Sequence, residues 1–539
     1  MADATYRADV AVVGGGIAGI VAALQLLDEG LSVVLLDRDD RESLGGLAKW
    51  SFGGIFLVDS REQRRLGFKD DPELALQDWL RAGELDPTDE WPGRWARAFV
   101  EGVADDVDDW LRRLGVRFFP VVHWVERGGD AAGNSVPRFH MVWGTGDRLM
   151  EVLVGRLMQH PRRAHLSFHF RHRVTDVELA NGRVAGVTGT DEADGTQFRA
   201  DAQSVVVAAG GYCGNIPWLR KHWDHDLGRI PETILNGSHR YADGDLHRVV
   251  ENRGGVLSNL DRAWFYAAGV HHPNPRHQLH GLSIVPPKSA LWLNFRGERI
   301  GPDPMVTGFD TRRLVQQVCH EDRQYSWQVM NSRIARKELA VSGSEFNEAI
   351  RNRKVFGFLK SILMGNRALV QTLARDCEDV IVANSVAELA GRMNAMTGSD
   401  DVDAHALEAM IKAYDRGIST GTALKDDEQV RRIVEARKYR GDRVRTCKSQ
   451  TILDQGAMPL IAIREFILSR KSLGGIRTDL SCRVLSADGR PVLPGLYAVG
   501  ESAGFGGGGI HGKRSLEGTF LATCIFTGRR AARSIAGVT

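Results

Sequence analysis

The first forty residues carry the pattern that most restricts what this chain can fold into. The apolar run Val10–Val13 leads into a glycine motif over residues 14–19, and a second apolar run, Val33–Leu36, ends in Asp37. Short β-branched runs are typical of buried parallel strands, and a helical spacing of apolar residues fills the interval between these two. The stretch therefore predicts a strand–turn–helix–strand unit that binds a dinucleotide.

The motif Gly14-x-Gly16-x-x-Gly19 gives each glycine a physical role. Gly14 permits the tight turn, Gly16 lets the backbone approach a pyrophosphate, and Gly19 lets the helix pack closely on the strand. The helix N-terminus offers unpaired N–H groups to phosphates, and Asp37 is placed to accept a hydrogen bond from a ribose hydroxyl. The alternative is a glycine-rich strand–helix turn in another kind of α/β protein.

Composition and charge exclude several other classes of protein. The chain has 539 residues, which allows two or more domains, and a net charge of +2, which gives no electrostatic reason to bind nucleic acid. No apolar run approaches the roughly 20 residues of a membrane span, and the first residues lack the basic and apolar segments of a signal peptide. The six cysteines are scattered without a CxxC pair, so we expect reduced thiols, no metal site and a cytoplasmic protein.

Glycine turns that suit a bound ligand recur far from the first motif. They lie at residues 45–54, 209–211 and 500–509, so both ends of the chain are expected to converge on one ligand. The glycine density of residues 45–54 suits a backbone lying flat against a planar ligand, although a plain loop into the next strand is the alternative. A simple NAD enzyme holds its cofactor mainly with one compact unit, so this spread favours the longer cofactor FAD.

A change of character along the chain predicts an inserted domain. Residues 166–206 alternate between apolar and polar side chains as strands do, and Asn181-Gly182 is a hairpin signal. The pattern of the sequence changes from about residue 283, and residues 310–440 are rich in helical periodicity and charge. We therefore expect an α/β fold in which residues 283–445 form a second, inserted domain.

Several of these segments together resemble the fumarate reductase/succinate dehydrogenase flavoprotein superfamily, which also contains the 3-ketosteroid dehydrogenases. The resemblance covers nearly the whole chain and is carried by residues 12–19, 44–54, 207–211, 474–479 and 495–501. Residues 61–67 and 134–140 are similar to a narrower branch of actinobacterial FAD-binding dehydrogenases.

The resemblance implies a Rossmann-like FAD-binding domain that is split in sequence, with an α+β cap. Residues 1–282 and 446–539 would form the FAD-binding domain, and residues 283–445 the capping and substrate domain. FAD would be bound non-covalently. The cofactor-binding residues implied in this way are Gly14, Gly16, Ile17, Ala18, Asp37, Arg38, Gly45, Gly46, Ser51, Phe52, Gly53, Gly54, Val174, Ala209, Gly210, Gly500, Glu501, Ser515 and Leu516.

The resemblance also assigns some of these residues to parts of the FAD. Asp37 would bind the adenosine ribose, Val174 would lie near the adenine, and Glu501 would bind the ribityl chain. Ser515 and Leu516 would present N–H groups at the start of the last helix, predicted from about residue 515 to 535, to the pyrimidine edge of the flavin.

The chemistry implied by the resemblance is hydride transfer between flavin N5 and a carbon beside an activating carbonyl, with a proton moved on the opposite side. The substrate would be a small carbonyl-activated molecule, alicyclic or steroid-like, and the reaction a desaturation or its reverse, an ene reduction. The electron acceptor or donor and the oligomeric state are left open. A flavin monooxygenase and a non-catalytic flavoprotein electron carrier remain alternative functions.

Four side chains are candidates for catalysis. Lys471 stands where fumarate reductases carry a histidine, and Arg514 lies one residue before the position of their arginine. Either cation can polarise a carbonyl, and His511 can move a proton near neutral pH. Tyr266 is a candidate phenolic acid or base. The alternative for His511 is a hydrogen bond within the glycine loop, and for Arg514 an ion pair with Glu517.

Overall fold

The structure is a computed structural model that describes residues 4–129, 132–301 and 303–538. Its strands are β1 (Ala4–Arg7), β2 (Val10–Val13), β3 (Val33–Leu36), β4 (Gly54–Phe56), β5 (Phe139–Met141), β6 (Leu166–His169), β7 (His172–Ala180), β8 (Arg183–Asp191), β9 (Gln197–Asp201), β10 (Ser204–Val207), β11 (Ile234–Asn236), β12 (Leu257–Ser258), β13 (Ala263–His271), β14 (Gly281–Val285), β15 (Leu291–Leu293), β16 (Tyr325–Asn331), β17 (Ala340–Val341), β18 (Val380–Ala383), β19 (Leu460–Ser472), β20 (Gly475–Ile476) and β21 (Leu496–Ala498).

Its α-helices are α1 (Ile17–Asp28), α2 (Gly46–Trp50), α3 (Arg61–Arg65), α4 (Pro72–Gly83), α5 (Glu90–Val103), α6 (Trp110–Arg113), α7 (Thr145–Met158), α8 (Ile216–Lys221), α9 (Asp245–Asn252), α10 (Thr311–His320), α11 (Ser332–Glu338), α12 (Glu348–Arg351), α13 (Val355–Met364), α14 (Arg367–Asp376), α15 (Val386–Thr397), α16 (Ala404–Thr420), α17 (Ala423–Asp426), α18 (Glu428–Lys438), α19 (Arg440–Arg445) and α20 (Thr519–Ile535). Among the described residues, no helix combines the length and the apolar composition needed to cross a bilayer.

A parallel sheet of strand order β21-β10-β2-β3-β6 forms the centre of the cofactor-binding half. β2 is flanked by β3, with Val10 opposite Val33, and by β10, with Val10 opposite Ser204. Every residue of β2 and β3 is apolar and buried, because helices α1 and α20 and a second sheet cover the two faces. The predicted strands at Val10–Val13 and Val33–Leu36 are confirmed.

The edge strand β21 comes from the last part of the chain. It pairs in parallel with β10, Val206 lying opposite Tyr497, although the two strands are separated by most of the polypeptide. Helix α20, which follows β21, packs against α1, the helix of the first glycine motif. The predicted fold class, an α/β fold with a Rossmann-like domain split in sequence, is confirmed.

A second large sheet lies over the carboxyl ends of these strands. The strand β19 runs through its middle and pairs with β11, β13, β16 and β18. β13 and β19 lie outside residues 283–445, and the predicted boundary at residue 283 falls within β14. The division into 1–282, 283–445 and 446–539 stays a prediction. The sheet places the end of β19, with Lys471, beside the cofactor-binding half.

The last helix begins later than predicted. It starts at Thr519 rather than at Ser515, because its N-cap Gly518 has φ +95°. Residues 503–513 form a series of turns instead of extending the helix backward. Ser515 and Leu516 therefore precede the helix, and the expectation that they lie in its first turn is wrong.

Candidate active site

The first glycine motif forms the turn that its spacing predicts. Gly14 has φ +111°, and a Cβ there would collide with the carbonyl oxygen of Ala208 on the neighbouring strand. A Cβ at Gly19 would collide with the carbonyl oxygen of Gly14, so helix α1 can lie against the turn only because residue 19 is glycine. At Gly16 a Cβ would meet no protein atom within 4 Å, so the backbone there faces open space.

That open space belongs to a cavity at the carboxyl ends of β2, β3 and β10, where open parallel sheets bind ligands. Twelve predicted cofactor-binding residues line it: Gly14, Gly16, Ile17, Ala18, Asp37, Arg38, Gly45, Gly46, Val174, Ala209, Gly210 and Glu501. A Cβ at Gly210, as at Gly16, would project into space that no protein atom fills. Two bare backbone segments beside a helix N-terminus fit the pyrophosphate of FAD.

The other predicted cofactor residues divide into two groups. Ser51, Phe52 and Gly54 line a second cavity next to the first. Gly53, Gly500, Ser515 and Leu516 line neither cavity. Gly500 donates its N–H to Thr527 Oγ1 at 3.0 Å, and the buried Ser515 hydroxyl lies 3.0 Å from Thr519 Oγ1. The contact of these four residues with a cofactor stays a prediction.

Asp37 connects the two halves of the dinucleotide unit. Its carboxylate accepts hydrogen bonds from the backbone N–H of Gly15 and, at 2.7 Å, from that of Asp39. Burial raises the pKa of Asp37, and these two hydrogen bonds oppose the rise. The side chain thus holds the glycine turn against the end of β3 while one side of it lines the cavity.

The second cavity adjoins the first and has a different character. Its volume is about 350 Å³, and its wall is mostly apolar, with Phe139, Met141, Ile284, Trp292 and Leu314 among the lining residues. The two cavities share five residues, namely Leu47, Ala48, Lys471, Phe520 and Leu521. A ligand in the first cavity can therefore reach a small molecule in the second at this junction.

Lys471 is the charged residue at the junction. It lies near the end of β19, and its backbone pairs with Trp264 of β13. Burial lowers the pKa of Lys471, and the carboxylate of Glu501 opposes that shift. Lys471 therefore lies where it can contact ligands in both cavities.

Tyr266 also lines the second cavity, and it has a carboxylate partner that the sequence did not identify. The Tyr266 hydroxyl donates to Glu517 Oε1 at 2.6 Å, and Trp264 Nε1 donates to the same oxygen at 3.0 Å. Burial raises the pKa of Tyr266 well above its usual value, and the Glu517 carboxylate adds to the rise. The pair is a hydrogen-bonded proton donor and acceptor inside the cavity.

Glu126 is a second carboxyl group on the cavity wall that sequence reasoning missed. It is 5% exposed, has φ +50°, and accepts hydrogen bonds from the N–H (3.1 Å) and hydroxyl groups of Thr311. Burial raises the pKa of Glu126 well above 4.5, and the nearby Asp310 carboxylate raises it further. Burial therefore favours the protonated form of Glu126, which can donate a hydrogen bond.

His511 and Arg514 are not brought to the cavities. His511 is completely buried, with Nε2 2.8 Å from Thr519 Oγ1 and its ring stacked on Trp79. Burial lowers the pKa of His511 to about 3, so its ring is neutral near neutral pH. Arg514 pairs with Glu84 and, at 3.1 Å, with Asp310, not with Glu517.

Comparison with known proteins identifies the family. Residues 9–521 match the family described as FAD binding domain. A KsdD-like steroid dehydrogenase of Mycobacterium tuberculosis is 43% identical over 548 residues, which cover 98% of this chain and 96% of that protein. A fumarate reductase of Saccharomyces cerevisiae is 22% identical, with 98% of each chain covered.

A solved structure has the same fold at lower sequence similarity. A 3-ketosteroid-Δ4-(5α)-dehydrogenase of Rhodococcus jostii superimposes with a TM-score of 0.64 at 22% identity, covering 98% of this chain and 97% of its own. The predicted FAD cofactor and the predicted class of enzyme are confirmed. The chain belongs to the FAD binding domain family and is an FAD-dependent dehydrogenase or reductase that acts on CH–CH bonds.

Proposed function

We propose that the protein introduces or removes a double bond beside the carbonyl group of a steroid-like ketone. The observation that carries this proposal is the apolar cavity that meets the cofactor cavity at Lys471 and holds Tyr266, Glu517 and Glu126 in its wall. A volume of about 350 Å³ with a mostly apolar wall and a limited set of polar groups that can orient a carbonyl suits a small, rigid, mainly apolar ligand.

The name of the similar mycobacterial protein, a steroid dehydrogenase, supports the substrate class. A monooxygenase or an electron carrier is not favoured, since the named relatives are dehydrogenases and reductases. An electron carrier also has no need of a mainly apolar cavity with a proton donor and acceptor in its wall.

Tyr266 and Glu517 are suited to move the proton. When bound, FAD accepts or supplies the hydride. In the direction of desaturation, Tyr266 Oη takes the acidic proton from the carbon beside the carbonyl, and the hydride leaves the next carbon rather than that one. The phenolic proton of Tyr266 passes to Glu517 Oε1 along the 2.6 Å hydrogen bond. Because burial and the Glu517 charge disfavour a free phenolate, the two transfers occur together. In ene reduction both run backward.

Lys471 and Glu126 are suited to hold the substrate carbonyl. Each can donate a hydrogen bond to a carbonyl oxygen, and that bond strengthens as negative charge develops on the oxygen. The raised pKa of Glu126 favours the protonated form that this role requires. The two donors and the proton acceptor Tyr266 together provide for enolisation of a bound ketone.

The function is tested by anaerobic titration of the flavin absorbance of the holoenzyme against a panel of saturated ketosteroids, ketosteroid enones and short dicarboxylates. We expect bleaching of the oxidised flavin by saturated ketosteroids, or reoxidation of the reduced flavin by the enones. No reaction with any steroid, or reaction with fumarate alone, would contradict the proposal.

Glu126→Gln should change how stability depends on pH. An ordinary carboxyl group ionises near 4.5 in the unfolded chain, whereas folded Glu126 keeps its proton to higher pH. Between these values the folded state binds more protons than the unfolded state, so the wild type loses stability as pH rises. Glutamine has no such proton to lose. Urea unfolding should therefore show Glu126→Gln gaining stability relative to the wild type as the pH rises above 4.5.

The matched control is Glu408→Gln, which removes a carboxylate that pairs with Lys412 on the exposed face of α16. Glu408 is ionised in both states over that range, so its difference from the wild type should stay constant with pH. A constant difference for Glu126→Gln as well would show that Glu126 is ionised in the folded protein.

A further inference from the structure

Helix α13 (Val355–Met364) exposes an apolar face. None of its residues is buried, and Phe356 is 88%, Leu363 84% and Met364 72% exposed. Residues 356, 359 and 363 repeat at helical spacing, so they form one outward stripe. A contiguous apolar surface of this kind on a globular protein marks an interaction site.

The inner face of α13 is fixed to the protein by aromatic packing. The ring of Phe358 lies 5.1 Å from that of Phe119 and 6.1 Å from that of Trp143, measured between centroids. Phe119 packs in the same cluster as Phe139 and Met141, which line the second cavity. The exposed helix is therefore separated from the proposed substrate cavity by one layer of aromatic side chains.

Along the chain, the segment that contains α13 carries charges of a single sign. Residues 349–375 contain no aspartate or glutamate and carry the cations Arg351, Arg353, Lys354, Lys360, Arg367 and Arg375. Lys354 pairs with Glu348 and Arg375 with Asp376. Throughout the described ranges, the other four cations form no ion pair with a carboxylate.

We propose that α13 attaches the protein to the surface of a bilayer containing anionic phospholipids. A helix with exposed Phe, Leu and Met side chains and flanking cations lies in a bilayer interface, with its apolar side chains among the acyl chains and its cations at the head groups. A second copy of the chain is less suited to cover this face, because an isologous contact would bring the same cations together.

The attachment would place the substrate cavity next to the lipid phase. If the proposed function holds, only the aromatic cluster around Phe358 and Phe119 would separate a steroid-like ketone dissolved in the bilayer from the cavity. Bilayer binding itself does not depend on that function and is measured without substrate, so failure of one proposal is distinguishable from failure of the other.

The test is sedimentation of the holoenzyme with vesicles of phosphatidylcholine, with and without phosphatidylserine. We expect binding to vesicles with phosphatidylserine and weaker binding without it or at high salt. Phe356→Glu/Leu363→Glu should lower the vesicle affinity at least about tenfold, since two inserted apolar side chains become charged. FAD content and flavin reduction in vesicle-free buffer should be unchanged.

The matched control is Leu424→Glu/Val434→Glu, which adds the same charge at exposed apolar residues of α17 and α18. This variant should bind vesicles much more strongly than the α13 variant. Equal binding of the wild type and the α13 variant, or no binding of the wild type to either vesicle, would overturn the proposal. Loss of a wild-type dimer in the α13 variant without vesicle binding would overturn it in favour of a second copy.

Discussion

Replacing Tyr266 by phenylalanine should lower kcat with a ketosteroid by about 10²- to 10⁴-fold, the range expected when an acid or base is removed from a proton transfer. The hydroxyl that donates to Glu517 at 2.6 Å is lost, whereas the ring keeps its place in the cavity wall. KM should therefore change little. Steady-state turnover with an artificial electron acceptor measures both constants, and the flavin absorbance of the purified variant reports its FAD content.

Two further variants make this test specific. Glu517→Gln removes the carboxylate that takes the proton from Tyr266, so we expect a similar fall in kcat. The kcat of the double variant should be little lower than that of either single variant, because the pair acts as a unit. Tyr325→Phe is the control, since Tyr325 lines neither cavity and lies on β16. A kcat for Tyr266→Phe no lower than that of Tyr325→Phe would show that another group moves the proton.

Replacing Arg138 by methionine should lower the free energy of unfolding by about 3–5 kcal/mol, the usual cost of removing one partner from a buried ion pair. The Arg138 guanidinium lies between two carboxylates, 2.7 Å from Asp70 and 2.6 Å from Asp78, and all three side chains are fully buried. The substitution leaves the buried Asp70 carboxylate without a cation and leaves Asp78 only its contact with the exposed Arg81, 3.1 Å away. Urea unfolding followed by tryptophan fluorescence gives the change in midpoint.

The matched control for Arg138→Met is Arg94→Met. Arg94 pairs with Glu90 on the exposed side of α5, and such pairs contribute about 0.3–0.5 kcal/mol. Adding Asp70→Asn and Asp78→Asn to Arg138→Met removes the stranded charges, so part of the lost stability should return. If Arg138→Met unfolds at the same urea concentration as the wild type, the buried ion pairs of Arg138 do not stabilise the fold.

The first glycine motif could be predicted from sequence because local sterics decide its shape. A side chain at Gly14 or Gly19 would collide with the backbone of the same strand–turn–helix unit or of the adjacent strand. The hairpin at Asn181-Gly182 is predictable for a similar reason, since both residues adopt positive φ, which these residue types tolerate. Such features need little information from distant parts of the chain.

The proton-handling pair could not be predicted in the same way. Tyr266 and Glu517 are 251 residues apart, and they meet only because β13 lies beside the loop that precedes α20. His511 lies close in sequence to the predicted flavin-binding loops, but this closeness does not predict where its side chain lies. The turns at residues 503–513 direct its ring into the core against Trp79, away from both cavities.

The sheet shared by both ends of the chain also determines when the cofactor site can form during synthesis. At about 5–20 residues per second, roughly 25–100 s pass between the synthesis of β2 and that of β21. For roughly the last 15–60 s of that interval, after its own synthesis, β10 has a free edge whose N–H and C=O groups are unpaired on the β21 side. A nascent chain therefore exposes the unpaired edge of an incomplete sheet until the segment that contains β21 leaves the ribosome. Protection of this edge until then falls to chaperones or to the rest of the cofactor domain.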